Sequence, residues 1–562
     1  MTAATADSPQ LHVPGTPERP LAVLSLLHQP RHGHSGELRL WGRPVLMHTL
    51  KRLAEADLGG TQRVVLAWDD QAGAAGDVAA SCGATLLPAG PRRRLPAMEA
   101  VARALRWSDG WRTTLGRCCA FDAGFDAATL QTVLSRHPAA WLLLVDPASP
   151  LLPPEVVRGL LHHAALQADR DWFYLPTPPG ATAVLLRATW LNELQRLQRH
   201  PGAMLHYHPD RYGADPVSTP HCAPAPVALC RSLLQFRIDR PDLAAMAETC
   251  FPEGPPTCVE KLLSGWNAVP AMPADVRVEL TTARRTRPVF VPRLESGPEE
   301  LALPDVCVLL DQLAASRYAA AAALPAPTRL TLGHLGDPLL HPAWPDVLSE
   351  AAARAIPVCI ETDLVGLDEA ARAELLARPW DVLMVHLPAA SRPTYATVMG
   401  VDAFDDVMSS LEAMVKGADG RLVVPLFTLV ADNLAEREPW YDHFVRVLGR
   451  PGGSGGGVLM SASTWAGQLD EMGGPDLTPP GRTPCRRLWT RLTVRACGAA
   501  SACENDLTGE LLASCAGGDV ASVRPADVRG VWAGPMSRLR RQHESGGTLP
   551  MLCGQCRDFF RP

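Results

Sequence analysis

Two series of short, continuously apolar segments run along this chain, and segments with a helical pattern lie between them. The first series opens at residues 21–27 and the second at residues 276–281. Apolar runs of four to eight residues are typical of strands that are buried on both faces of a parallel sheet. The alternation of such strands with helices predicts an α/β fold, with ligand sites at the carboxyl ends of the strands.

The first series predicts a doubly wound domain over residues 20–265. A polar, proline-bearing stretch precedes it, so residues 1–19 are predicted to be a disordered tail. We predict strands at 21–27, 63–68 and 141–146, and helices at 45–56, 96–105, 127–135 and 154–168.

The second series predicts a partial (β/α)6 barrel over residues 266–480. The number of strands and the helices between them favour a barrel-like parallel sheet. A small cysteine-rich domain is predicted to follow at 481–562. We place the barrel strands at 276–281, 329–332, 358–362, 382–387, 422–430 and 458–461.

The overall composition excludes some classes of partner. The 53 basic and 59 acidic side chains give a net charge of −6, so nothing indicates a nucleic-acid surface. The amino terminus lacks the pattern of a secretory signal, and no apolar run reaches the length of about 18 residues that a membrane helix needs. We therefore predict a cytoplasmic protein without a membrane span. The oligomeric state is left open.

The cysteines are unevenly distributed. Six of the 15 lie in the last 78 residues. In a cytoplasmic protein such a cluster indicates metal or iron–sulfur ligation more than disulfides. These six residues are Cys485, Cys497, Cys503, Cys515, Cys553 and Cys556.

The residues around these cysteines carry a family pattern. The chain reads Pro484-Cys485, then Cys503-Glu-Asn-Asp506, Val531-Trp532, Arg540 with His543, and finally Cys553-Gly-Gln-Cys556. This order closely resembles the SPASM auxiliary-cluster domain at the carboxyl terminus of many radical S-adenosylmethionine enzymes.

The resemblance implies that Cys485, Cys503, Cys553 and Cys556 hold an auxiliary [4Fe–4S] cluster, for which four thiolates are the usual complement. Four cysteines with this spacing could also bind zinc, so zinc remains the alternative. Cys497 and Cys515 lie outside the matched positions, and we interpret both as small buried residues.

The middle segment resembles the radical S-adenosylmethionine core, but it lacks the cysteines of that core. The family carries C-x-x-x-C-x-x-C-Pro-Arg after the first strand. Alignment on Pro292 and Arg293 puts Arg284, Pro288 and Val291 at the three cysteine positions. None of these side chains ligates iron, so the resemblance implies that the core cluster is missing and that S-adenosylmethionine binding is not expected.

Other landmarks of that core keep their spacing. The family's Gly-Glu-Pro turn appears as Gly336, Asp337 and Pro338, which are candidate cofactor-binding residues. Asp337 could equally be a turn residue that is kept for its shape. His386 stands at the end of a predicted strand, where barrel enzymes place functional groups, and is a candidate catalytic residue.

The first domain is similar to nucleotidyltransferases of the CMP-sugar synthetase and spore-coat polysaccharide type. Residues 42–53 fit the family's first helix, and Val145-Asp146-Pro147 fits the strand end where the family's aspartate holds Mg²⁺. The loop at residues 28–37 lacks the lysine expected to meet a triphosphate. Asp146 is thus a candidate catalytic residue, with a strand-end turn as the alternative.

The order of the three parts resembles the spiro-SPASM proteins. The resemblance implies an iron–sulfur protein without radical chemistry, which would act as a binding, scaffold or electron-relay protein. Its expected partners are enzymes of glycan or polysaccharide modification. Two alternatives stay open: nucleotidyl or glycosyl transfer by the first domain, and a non-classical radical enzyme.

Overall fold

The structure is a computed structural model. It describes residues 19–560 except 57–61, 95, 108–124, 126, 168, 198–220, 231, 233, 267–269, 294–298, 316–327, 449–455, 477 and 516–523. Residues 1–18 of the predicted disordered tail lie outside this part. No helix among the described residues is long and apolar enough to cross a bilayer.

A six-stranded sheet organises the first part of the chain. Its order is β5-β4-β1-β6-β8-β7; β5, β4, β1 and β6 run parallel, and β8 is antiparallel to β6 and to β7. A separate hairpin is formed by β2 and β3. The strands are β1 (Leu21–Ser25), β2 (Arg39–Leu40), β3 (Arg43–Pro44), β4 (Arg63–Ala67), β5 (Thr85–Pro88), β6 (Trp141–Leu144), β7 (Trp172–Tyr174) and β8 (Val184–Arg187).

Helices cover both faces of this first sheet. Alternate side chains of β1 enter two separate cores, with Ala22 and Leu24 in one and Leu21 and Val23 in the other. This two-sided burial explains why β1 is apolar throughout. The helices are α1 (Val45–Glu55), α2 (Ala72–Ser81), α3 (Pro96–Trp107), α4 (Ala127–Arg136), α5 (Pro154–Leu166), α6 (Leu191–Leu197), α7 (Val227–Cys230), α8 (Pro241–Cys250) and α9 (Val259–Gly265).

An eight-stranded sheet organises the rest of the chain. Six strands, β9 to β14, run parallel in sequence order, and β15 joins the free side of β9 in parallel, followed by antiparallel β16. The strands are β9 (Asp275–Val278), β10 (Arg329–Leu332), β11 (Val358–Thr362), β12 (Val382–His386), β13 (Leu422–Leu429), β14 (Val458–Ser461), β15 (Arg491–Val494) and β16 (Ala500–Ser501).

The second sheet is open in the described part of the chain, with β14 and β16 at its two ends. One continuous core on its outer face joins residues from Met272 to Leu539, so the cysteine-rich segment packs on the same sheet as the parallel strands. Its helices are α10 (Leu303–Ala314), α11 (Trp344–Ala353), α12 (Glu369–Ala377), α13 (Arg392–Met399), α14 (Phe404–Gly417), α15 (Arg437–Leu448), α16 (Arg487–Thr490), α17 (Glu510–Cys515), α18 (Val528–Ala533), α19 (Pro535–Glu544) and α20 (Met551–Gln555).

Helix α3 of the first part packs on the inner face of the second sheet. Ala104 and Trp107 share a small apolar core with the inward side chains of β11, β12 and β13. Asp381, just before β12, receives Arg106 Nη1 at 3.0 Å and Trp107 Nε1 at 3.2 Å. These contacts join the two parts of the chain at the amino-terminal ends of the strands.

The α/β fold class predicted from the sequence is confirmed. The strands predicted at 329–332, 358–362 and 458–461 have the predicted bounds. The sequence reasoning missed the antiparallel strands β7 and β8, because three or four apolar residues beside prolines and glycines give too short a pattern.

Candidate functional site

The four cysteines of the family pattern come together in the structure. Cys485, Cys503, Cys553 and Cys556 line one pocket, which we call the cysteine pocket. Three separate segments deliver them: the turn before α16, the loop after β16, and α20 with the residue that follows it. Apolar side chains complete the wall, among them Leu488, Leu511, Leu552 and Phe559.

The cysteine pocket disfavours free thiolates. Burial raises the pKa of all four thiols, that of Cys553 to about 12 and that of Cys503 well above its usual value. The charges of neighbouring thiolates add to the rise at Cys485, Cys503 and Cys553. Without a bound cation the thiols are therefore protonated at neutral pH, and ligand binding would release protons.

Nitrogen donors point at one sulfur of this pocket. Asn505 Nδ2 lies 3.4 Å from Cys556 Sγ, and the backbone N–H of Asp558 donates to the same sulfur at 3.3 Å. Arg482 holds the segment from outside by donating to the carbonyls of Cys553 and Cys556, at 2.7 and 2.6 Å. Bonds of this kind to sulfur favour a metal-bound thiolate.

The donor set fits an iron–sulfur cluster in number and chemistry, because four cysteines from three segments face one partly apolar pocket. Among the residues that the structure describes, no three His, Cys, Asp or Glu side chains are grouped closely enough to hold a single metal ion.

A different arrangement occupies the carboxyl edge of the parallel strands. Arg284, at the first missing cysteine position, forms a two-pronged ion pair with Asp363, at 2.7 Å (Nε–Oδ2) and 2.5 Å (Nη2–Oδ1). Their side chains are 9% and 2% exposed. Thr286 donates to the same carboxylate, and Arg284 Nη1 donates to the Leu335 carbonyl at 3.2 Å. This edge does not fit a core iron–sulfur cluster.

Asp337 holds the neighbouring turn together. It accepts the backbone N–H of Leu339 at 3.0 Å, the Thr362 hydroxyl at 2.8 Å and the backbone N–H of Asp363 at 3.0 Å. Burial, and then the nearby charge of Asp363, raise the pKa of Asp337 to about 6. These bonds account for Asp337 as a structural residue.

Gly336 and Pro338 flank that aspartate. A Cβ at Gly336 would lie 2.0 Å from the Thr281 carbonyl oxygen, so only glycine allows this close approach of two loops. Pro338 opens the short 3₁₀ turn that Asp337 caps. The predicted cofactor role of these residues stays a prediction.

His386 is the last residue of β12, and its side chain is mostly buried. Its Nε2 is 3.5 Å from Glu361 Oε1, and its ring centroid is 6.0 Å from that of Phe290. Burial lowers the pKa of His386, although Glu361 opposes the shift. Its Nδ1 is buried and finds no hydrogen-bond partner within the described residues.

The sequence reasoning missed a charge network that links the cysteine pocket to the sheet. Glu504, next to Cys503, pairs with Arg491 at 2.6 Å, with Arg487 at 3.3 Å and with Arg277 at 3.6 Å. Burial opposes its ionisation, but the three guanidinium groups hold the pKa of Glu504 well below its usual value. The alternating Asp-x-Arg-x-Glu of residues 275–279 was the available signal, because it marks one face of a buried strand as charged.

In the first sheet, Asp146 follows β6 and is already paired. Its Oδ1 accepts the backbone N–H of Ala148 at 2.9 Å, and its Oδ2 lies 2.5 Å from Arg237 Nε. Arg237 Nη1 also lies 2.9 Å from Asp239 Oδ2. A guanidinium therefore stands where Asp146 would meet Mg²⁺, and this arrangement does not fit a bound Mg²⁺.

The fold and the cysteine pocket define a mixed α/β protein with two mainly parallel sheets and a four-thiol site. No family model and no curated protein matches the chain.

Several solved structures are similar to it in part. BtrN in complex with AdoMet and 2-DOIA shares 16% identity over 49% of this chain and 87% of that chain, with a TM-score of 0.32. Streptococcus suis SuiB bound to the precursor peptide SuiA shares 11% over 58% and 77%, with a TM-score of 0.36. A cytidylyltransferase from Leptospira borgpetersenii shares 10% over 44% and 93%, with a TM-score of 0.32.

Proposed function

We propose that this protein binds one [4Fe–4S] cluster in the cysteine pocket and acts as a binding, scaffold or electron-relay protein without radical S-adenosylmethionine chemistry. The observation that carries the proposal is the convergence of four cysteines from three distant segments on one pocket. The cluster would supply one-electron transfer, which a zinc ion cannot supply.

The surroundings of the pocket support a cluster that is held with all four thiols. Cys553 lies on the short helix α20 and Cys556 directly follows it, and Arg482 donates hydrogen bonds to the backbone carbonyls of both residues. Four thiolates would leave no iron open to the amino and carboxylate groups of a small cofactor. The ion-paired edge at Arg284 and Asp363 supports the same conclusion independently of the pocket.

Anaerobic reconstitution with iron and sulfide tests the proposal. For the full chain we expect about four irons and about four sulfides per protein. Changing both Cys553 and Cys556 to Ala should remove nearly all of the iron. Metal analysis of the protein as isolated should count zinc in the same samples.

Cys497 provides the matched control, because it lies in the same segment but does not line the cysteine pocket. The Cys497→Ala variant should keep its iron. Equal iron in the wild type and the double variant would overturn the proposed ligands, and stoichiometric zinc without sulfide would replace the cluster by a zinc site. Formation of 5′-deoxyadenosine from S-adenosylmethionine on reduction would overturn the absence of radical chemistry.

The expected partnership with glycan or polysaccharide-modifying enzymes stays a prediction. Asp146 and its arginine do not support the nucleotidyl-transfer alternative, since the carboxylate is engaged within the protein.

A further inference from the structure

His543 is a polar residue of the cysteine pocket that the proposed set of four thiol ligands does not use. It lies on the buried face of α19 with Leu539 and Arg540, and only 8% of its surface is exposed. Its side chain lines the pocket together with the four cysteines. Any group that binds in the pocket therefore has an imidazole beside it as well as thiols.

One ring nitrogen of His543 already has a partner. The backbone N–H of Cys485 donates to His543 Nδ1 at 3.5 Å. Because Nδ1 accepts this bond, the proton of the neutral ring lies on Nε2. About one turn earlier on the same helix, Arg540 Nε donates to the Leu488 carbonyl at 2.6 Å. The turn that carries the first cysteine thus fixes both the position of α19 and the tautomer of its histidine.

The other ring nitrogen is an unused donor. Nε2 of His543 is buried and has no hydrogen-bond partner within the described part of the chain. The other polar side chains of the pocket are engaged: Arg482 donates to backbone carbonyls, and Asn505 Nδ2 donates to Cys556 Sγ. Buried donors are nearly always paired, so an unpaired one in a pocket indicates a bond that a bound group completes.

The chemistry of the missing acceptor separates a cluster from a zinc ion. Cys556 Sγ accepts bonds from Asn505 and from the backbone of Asp558, but no cysteine sulfur accepts one from His543 Nε2. Zinc would be held by the same four thiolates and would bring no acceptor of its own. An iron–sulfur cluster brings inorganic sulfides, which accept hydrogen bonds.

We propose that His543 Nε2–H donates to a sulfide of the [4Fe–4S] cluster in the cysteine pocket and thereby raises the reduction potential of that cluster. A hydrogen bond to cluster sulfur stabilises the more negative, reduced state. His543 is then not a ligand to iron but a residue that tunes the cluster. This inference rests on the function proposed above and adds to it a residue that sets the potential.

Potentiometric titration of the reconstituted full chain, followed by electron paramagnetic resonance, tests the proposal with two variants. His543→Asn keeps an acceptor near the Nδ1 position for the Cys485 N–H, but it removes the donor at Nε2. His543→Gln extends an amide N–H toward the Nε2 position and gives up that acceptor. In His543→Asn the redox equilibrium should shift about tenfold toward the oxidised cluster, which is about 59 mV for one electron. The potential of His543→Gln should stay close to that of the wild type.

Gln542→Ala is the matched control. Gln542 is the exposed neutral neighbour of His543 on α19, and it does not line the pocket. Its loss should leave the potential unchanged. Zinc affinity of the metal-free chain should be the same for the wild type and His543→Asn, because no thiol is altered.

The outcomes distinguish this inference from the proposed function. A wild-type chain that assembles no cluster would overturn both. A wild-type cluster whose potential is unchanged in His543→Asn would overturn this inference alone, and so would equal shifts in the Asn and Gln variants, because His543 would then act only through Cys485. Pulsed paramagnetic resonance of the reduced wild type with nitrogen-15-labelled histidine needs no variant: a nitrogen coupling is expected, and its absence would contradict the bond.

Discussion

The cysteine pocket and the carboxyl edge at Arg284 lie on one sheet, but they differ in how their polar groups are paired. At the edge, Arg284 donates two hydrogen bonds to Asp363, and Thr286 donates a third to the same carboxylate. In the pocket, four thiols with raised pKa values face a shared space. A site whose charges are paired inside the protein is already complete, whereas converging donors with raised pKa values gain from a bound cation.

The largest expected effect comes from breaking the pair at the edge. Arg284→Ala leaves Asp363 buried without its cation, which typically costs about 3–5 kcal/mol of the free energy of unfolding. Urea denaturation would measure it. Iron content per folded protein should stay at the wild-type level, so a parallel loss of iron would show that the two regions are not independent.

A smaller effect should follow the titration of Asp337. Its folded-state pKa of about 6 lies above the usual value of 3.8, so the folded protein binds more protons than the unfolded chain between these pH values. The contribution of Asp337 to stability is therefore complete below about pH 4 and falls by about 3 kcal/mol as the pH rises through 6.

Asp337→Asn removes this titration. Denaturation at several pH values should show the difference in unfolding free energy moving in favour of the variant from pH 4 to pH 7. The lowered pKa of His386 makes stability rise with pH in an overlapping range. Because both proteins share this contribution, it cancels when the two unfolding free energies are subtracted. A constant difference across this range would contradict the assignment.

In the pocket, the contact of Asn505 with sulfur offers a finer test. An N–H···S bond to a cluster ligand stabilises the more negative, reduced state of the cluster. If the cluster binds as proposed, Asn505→Ala removes one such bond from Cys556. A loss of one hydrogen bond should lower the reduction potential by roughly 20–60 mV. Spectroelectrochemistry against the wild type would measure it, and a raised potential would contradict the role of this contact.

The smallest effect is expected on the surface. Arg392 and Asp402 form a two-pronged pair at 2.6 and 2.7 Å, much like that of Arg284, but their side chains are 60% and 54% exposed. Water replaces such a partner readily, so Arg392→Ala should change the urea midpoint hardly at all. If it destabilised the protein as much as Arg284→Ala, burial would not be the cause of the difference.

The strands could be predicted because a strand that is buried on both faces appears in the sequence as a continuous run of apolar residues. The pairs at the sheet edges were not, because Asp363 lies 79 residues from Arg284 and Arg237 lies 91 residues from Asp146. Alignment identified Arg284 as a residue that cannot ligate iron, but nothing in the nearby sequence identifies its ion-pair partner. Convergence of the cysteines was expected only through the family resemblance, since spacing alone does not bring Cys485 near Cys556.

The addition of β15 to β9 has a consequence for the order of events during synthesis. Arg491 bonds to Asp275, 216 residues earlier, so the edge of β9 is made long before the strand that covers it. At translation rates of about 5–20 residues per second, this interval lasts roughly 10–40 s. Cys553 and Cys556 emerge later still. If the pocket binds a cluster as proposed, the cluster is therefore added only after all the strands described for the second sheet have been made.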